Sequence, residues 1–225
     1  MRHQKFIDAI RLAVFHLRKL GFLYFVPLII LYILIPFLSC GYISYYGIGE
    51  DSFSRIFFDF QKMIPFMGAW WPIFGLADYA DGNASELLRV YKKTVLPDFL
   101  LLLIWYVLHA CILFMAYSIF LENYWMDFLL IAVEIFLFSA LSFFLLFATR
   151  TVLVPFLTIL LYEIFAFLSN TGPLQYVNIF SLSRITAWEQ LITPYLYLFL
   201  LSIVFILLGD RFYKSNRKSR RQTRF

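Results

Sequence analysis

Residues 127–169 read DFLLIAVEIFLFSALSFFLLFATRTVLVPFLTILLYEIFAFLS. Two apolar runs, about 127–148 and about 151–169, meet at the four residues ATRT around Arg150. About 20 apolar residues in a helix cross a ~30 Å hydrocarbon core. Each run is long enough for one crossing, and so short a joint forces a tight helical hairpin. The rest of the chain is of the same kind. Of its 225 residues, 62% are hydrophobic and 15% charged, and the mean hydropathy is +0.79. Soluble domains hold about 45–50% apolar and about 25% charged residues. No single water-soluble core uses that much apolar surface, so the bilayer is the expected solvent for most side chains. The reading is an all-α polytopic membrane protein: one transmembrane domain over about 1–210 and a basic cytoplasmic tail over 211–225.

The hairpin supplies the fourth and fifth of six expected spans. Span 1 covers about 22–46, with Pro27 and Pro36 placed to kink it. Span 2 covers about 62–79 and is interrupted by Pro65, Gly68, Pro72 and Gly75. Span 3 covers about 97–120 and span 6 about 191–209. Ahead of span 1, residues 4–20 place Phe6, Ile7, Ile10, Ala13, Val14 and Leu17 at helical spacing. Lys5, Asp8, Arg11, Arg18 and Lys19 fall mostly on the other side. That is an amphipathic helix with a basic face, suited to the headgroup layer. A signal peptide is not expected from so long a patterned polar start. Between spans 5 and 6, Ile179, Phe180, Leu182, Ile185 and Trp188 recur at near-helical spacing. They read as a short amphipathic helix at the outer face, or as an interfacial loop anchored by Trp188.

Charge orients the bundle. Net charge is +5, and a basic soluble domain would point to nucleic acid. Here the basic ends flank apolar spans, so they point to topology and anionic lipid headgroups, and no nucleic-acid partner is expected. With both termini cytoplasmic, inside segments hold sixteen of the nineteen Lys and Arg, and the outside keeps Arg55, Lys62 and Arg184. The outside also holds Glu50, Asp51, Asp59, Glu122, Asp127 and Glu189. Six spans make the signals agree at every loop, as in a multi-pass protein of the cell membrane, a bacterial plasma membrane by expectation.

Catalytic motifs are absent. There is no GxxxxGK[ST] phosphate cradle, no HExxH and no GxSxG. His3, His16 and His109 are far apart, and His109, inside span 3, reads as an interhelical hydrogen-bonding residue. Cys40 and Cys111 show no metal spacing and read as buried small apolar groups without a disulfide. No metal, cofactor or catalytic residue is expected. Glu134 and Glu163, inside spans 4 and 5, are different, because an unpaired charge at that depth costs at least ~2.5–3.5 kcal/mol. Each is a candidate for a translocation path, or else a hydrogen-bonded glutamate holding helices together. Trp70 and Trp71 sit too deep in span 2 for an interface belt and are further candidates for the path, with helix packing as the alternative.

The strip DGNASELLRVYKKT, residues 81–94, stands between spans 2 and 3 on the cytoplasmic side of this map. Asp81, Gly82 and Asn83 read as a turn, and Ser85 can cap a helix. Leu87, Leu88 and Tyr91 then fall on one side of about two turns, with Glu86, Arg89 and Lys93 toward the other. An apolar face there wants a partner. With the basic helix before span 1, the cytoplasmic ends and the longer outer segment before span 6, the chain resembles the membrane subunits of type-2 ATP-binding cassette exporters. The resemblance covers the topology of nearly the whole chain and is specific only over about 78–94, in an abbreviated form of the family's signature. It implies a permease subunit whose coupling helix contacts a separate ATPase chain through Leu87, Leu88 and Tyr91, with ion pairs from Glu86 and Arg89. It also implies a second membrane subunit, identical or related, and outward movement of an amphipathic or apolar substrate. Two other classes stay open: a membrane-embedded enzyme acting on a lipid through Glu134, Glu163 and His109, and a non-transporting assembly or immunity protein.

Overall fold

The computed structural model describes residues 17–81, 88, 92–119, 124–168, 178–180, 184 and 188–222. Among them, all regular structure is helical. Helix α1 runs Gly21–Tyr46, α2 Glu50–Gly75, a short α3 Ala77–Ala80, α4 Leu96–Ser118, α5 Tyr124–Thr149, α6 Leu153–Leu168 and α7 Trp188–Gln222. Four of these have a stretch long and apolar enough to cross a membrane: α1, α4, Trp125–Thr149 of α5 and Tyr195–Ser215 of α7. The shorter α6 is apolar as well. This is the make-up of a membrane protein.

The long α2 fails that hydropathy test for a physical reason. Glu50, Asp51, Arg55, Asp59 and Lys62 fall within its first turns, so the helix begins at Glu50 and not at about 62. Its buried face includes Phe57, Phe60, Gln61, Ile64, Met67, Trp71 and Ile73. A helix enclosed by other helices need not be apolar all round, and α2 is enclosed by α1, α4, α5 and α6. The last helix differs from expectation too: it runs on to Gln222, so residues 211–222 continue α7.

Central to the bundle is α5, which packs most extensively on α2 and α7. It ends at Arg150, held at φ 61°, and only Arg150–Val152 separate it from α6. The α2–α5 contact is close because of Gly68. A Cβ there would lie 2.8 Å from Ile135 Cγ2 and 3.2 Å from Tyr106 Cε1. Gly209 of α7 meets the other side of α5 in the same way. A Cβ on it would stand 2.5 Å from Phe143 Cδ1 and 3.2 Å from the Phe144 Cα.

Prolines leave carbonyls without their helical N–H partner, and apolar solvent offers no replacement. In α1, Pro27 frees the Leu23 carbonyl, and Trp70 Nε1 donates to it at 3.0 Å. The neighbouring Tyr24 carbonyl accepts from Trp71 Nε1 at 3.2 Å. A π-helical stretch, Ile30–Leu34, then leads into Pro36. In α2, Pro72 frees the Gly68 carbonyl, which accepts from Ser139 Oγ of α5 at 2.9 Å. Tyr106 of α4 donates to the Ile64 carbonyl at 2.8 Å, one turn before.

Polar contacts gather at the two ends. At one end Lys19 pairs with Asp78, Lys92 with Asp98 and Lys214 with Asp210. There Tyr213 donates to the Lys92 carbonyl at 3.0 Å and Thr94 to Asp210 at 3.0 Å. The start of α1, the end of α3, the start of α4 and the polar part of α7 therefore share that end. At the opposite end Arg184 sits 3.0 Å from Asp127 and 3.8 Å from Glu50. Both cysteines are free thiols, and Cys40 lies on an exposed face of α1 instead of in the core.

Replacing Gly209 by alanine overpacks the α5–α7 crossing, a change that costs about 1–3 kcal/mol in a tight core. The expected result is a lower unfolding temperature of the detergent-purified chain, whereas Gly41→Ala, on a position with open space around it, leaves the temperature unchanged.

Candidate functional site

The far half of the bundle holds a polar cluster that no helix-to-helix packing argument requires. Gln61 projects from α2 and Glu134 from α5, and both are 0% exposed. Gln61 Nε2 donates to Glu134 Oε1 at 2.6 Å. The other oxygens of the same two groups, Gln61 Oε1 and Glu134 Oε2, are buried without a hydrogen-bond partner among the described residues. Glu163 comes in from α6, within electrostatic reach of Glu134, and its Oε1 is also buried and unpartnered. Lys62, the neighbour of Gln61, lies within electrostatic reach of Glu163 and Asp59, with its Nζ 3.8 Å from the centre of the Phe58 ring. The hairpin of α5 and α6 thus brings its two carboxyls within electrostatic reach of each other, and α2 adds an amide and an ammonium.

Residues 178–180 pack beside this cluster, against Phe138 of α5 and Tyr162 of α6. They are not helical, so Ile179 and Phe180 do not form the amphipathic helix that their spacing predicts. Leu182 and Ile185 lie outside the described residues, and Trp188 begins α7. Non-helical backbone is tolerated at membrane depth only when protein satisfies its polar groups, and side chains do so here. Ile179 N–H donates to Tyr162 Oη at 2.9 Å, and Tyr195 donates to the Ile179 carbonyl at 3.4 Å. Phe180 N–H donates to Asn178 Oδ1 at 3.1 Å, and Asn178 Nδ2 to the Ala166 carbonyl at 3.4 Å. The Phe180 ring stacks on Phe138 at 6.1 Å and meets Tyr162 edge-on at 6.0 Å. Phe138 is one turn deeper in α5 than Glu134. The segment therefore enters the bundle as a plug, and the ion pair of Arg184 with the fully buried Asp127 anchors its far side.

Other sequence candidates fall elsewhere. Trp71 is fully buried, stacked on Tyr24 with centroids 5.2 Å apart, and edge-on to Tyr106. Trp70 packs on Phe74 and Phe156. Both indoles cap α1 carbonyls, and neither is gathered with the glutamates. His109 accepts or donates one hydrogen bond with Tyr32, Nδ1 to Oη 2.8 Å, and packs against Trp71 and Trp105. Trp71 is ten residues along α2 from Gln61, about 15 Å, so His109 does not share a proton with Glu134. Leu88 is half-buried and packs against the chain's own core, with its carbonyl accepting from Lys92 N–H at 2.9 Å. Glu86, Leu87, Arg89 and Tyr91 lie outside the described residues. A separate groove of about 380 Å³ between α4, α5 and α7 is lined by apolar residues, among them Leu103, Val107, Val133, Phe136 and Phe199.

Sequence reasoning missed Gln61 because it fell just before the second span, and it read Lys62, at the span's first position, only as an outside basic residue. The helical register of α2 was the available signal: Phe57, Gln61, Ile64 and Gly68 share one stripe. Comparisons with protein families, with curated proteins and with solved structures return no match. Among the described residues no three His, Cys, Asp or Glu side chains gather as metal ligands.

Removing the guanidinium in Arg184→Met leaves the Asp127 carboxylate buried beside nothing of opposite charge from that position. Breaking a buried pair in this way costs about 3–5 kcal/mol. Thermal unfolding of the purified variant is expected at a clearly lower temperature, with partial recovery in Arg184→Lys.

Proposed function

We propose that this chain is the permease subunit of an ATP-driven exporter in a plasma membrane, with six spans and both termini cytoplasmic. The observation that carries the transport reading is the cluster of Gln61, Lys62, Glu134 and Glu163 with a non-helical segment packed beside it. Ionisable groups and irregular backbone are costly inside a bilayer and mark transport paths when they meet in one place. In this reading α2 and α6 complete the six spans, each lined on one side by the other helices. The substrate is amphipathic or apolar, and a second membrane subunit, identical or related, encloses the path.

The energy source is a separate ATPase chain. Supporting this is the acid–Gly–x–x–x–Glu-Leu-Leu strip at 81–94, whose two ends, Asp81 and Lys92–Thr94, flank the end of the bundle that carries the basic part of α7. Closure of the motor pushes on α2 and α4, and ATP must favour one arrangement by several kcal/mol to shift the population. Because α2 also carries Gln61 and Lys62, such a push reaches the polar cluster directly.

Purification of the tagged chain from host membranes is expected to bring down a chain that hydrolyses ATP. Leu87→Asp and Tyr91→Asp are expected to lose that chain while the permease itself elutes and melts as before; Leu88 is left intact because it packs internally. Failure to recover any ATP-hydrolysing chain, or its retention by both variants, rejects the motor. Asn83→Cys and Thr223→Cys are expected to react with an impermeant maleimide from the cytoplasmic side only.

A further inference from the structure

We propose that Glu134 and Glu163 form a proton-binding site, with Glu134 held neutral against Gln61 and Glu163 as the carboxyl that exchanges its proton. Two unpartnered oxygens, Glu134 Oε2 and Gln61 Oε1, belong to a carboxyl and an amide already joined through Nε2 and Oε1 at 2.6 Å. A proton on Oε2 turns it into a donor, and Gln61 Oε1, on the amide already bonded to Glu134, is an acceptor without a partner among the described residues. Both groups are 0% exposed. An ionised Glu134 would stand in apolar surroundings with one amide N–H as its support and a second carboxyl nearby, an arrangement that costs several kcal/mol.

Glu163 stands differently. It is less buried than Glu134 and lies on α6 beside Tyr162, whose hydroxyl oxygen is taken up by the plug backbone. From α2 it faces Lys62, with Asp59 beyond it; from α5 it faces Glu134; residues 178–180 bring no titratable group. Loss of its proton leaves a carboxylate that Lys62 can offset, whereas gain of the proton leaves Lys62 within electrostatic reach of Asp59. The equilibrium is a bare exchange, a carboxylate plus a proton giving a carboxylic acid, and needs no co-reactant. A metal ion is the poorer fit, since only two carboxyls and one amide oxygen converge. The site is a property of this chain alone, and only its use in the transport path rests on the proposed function.

Dicyclohexylcarbodiimide tests it without a motor or a substrate. The reagent partitions into apolar regions, and a protonated carboxyl adds across its C=N bond and rearranges to a stable N-acylurea. The purified full-length chain in detergent is treated over a pH series, and labelled peptides are located by mass spectrometry. The expected result is labelling on Glu163 that falls as pH rises, is absent from Glu163→Gln, and shifts its midpoint to higher pH in Lys62→Met, where the charge favouring the carboxylate is gone. Glu134→Gln should leave the midpoint nearly unchanged, because a neutral amide replaces a neutral acid; a clear drop in midpoint means that Glu134 is ionised and overturns its assignment. Labelling independent of pH, labelling absent from both glutamates, or protection by sodium at fixed pH overturns the proton site. The melting temperature of each variant is recorded alongside, and the pH series on the unmodified chain decides the matter even if a variant does not fold. A chain that labels as expected yet recruits no ATPase keeps the proton site and loses the motor.

Discussion

In a medium without water, every polar group must find its partner inside the protein, and this constraint organises the whole bundle. Prolines at 27 and 72 strip helical partners from the carbonyls of Leu23 and Gly68. The indole of Trp70 and the hydroxyl of Ser139 take their place. Those donors belong to neighbouring helices, so each repair is also a clamp. Trp70 ties α2 to the start of α1, and Ser139 ties α5 to the kinked part of α2 where Gly68 lets the two helices approach. The hydrogen bonds thus set which helices touch, and apolar packing fills the space between them.

The same constraint explains the plug. Residues 178–180 leave helical geometry inside the bundle, and Tyr162, Tyr195 and Asn178 answer their backbone groups. With those groups satisfied, the segment can seat Phe180 against Phe138 and Tyr162, on the two helices that carry Glu134 and Glu163. The polar cluster is the contrast that gives the site its meaning. Among the described residues, most buried polar atoms around it are answered, whereas Gln61 Oε1, Glu134 Oε2 and Glu163 Oε1 are not. Unanswered oxygens at one place, beside a backbone whose groups are answered, are the observation on which the proposed proton site rests.

Much of this was legible in the residues. The α5–α6 hairpin follows from two apolar runs and a joint of a few residues, and the two glutamates within these runs stand out against their neighbours. The hidden helix was harder. Hydropathy measures contact with lipid, and α2 is sheltered by other helices, so its charged first turns looked like a loop and Gln61 went unnoticed. Trp70 and Trp71 looked like path residues because their depth was legible, while the carbonyls they cap lie on a helix some 47 positions away in sequence. Spacing likewise cast Ile179 and Phe180 as helical, since period alone carries no record of Tyr162 and Tyr195, from two other helices, holding the backbone in another form.

What the sequence determined by itself was the solvent. Composition and run length require helices in a bilayer, and a carboxyl in such a run is costly wherever it ends up. Only the tertiary structure decided that Glu134 and Glu163 share one cluster with Gln61 and Lys62 while His109 stands apart. Apolar periodicity says which face of a helix is buried, but the azimuth and height at which two helices meet depend on where a glycine permits approach and where a freed carbonyl finds its donor.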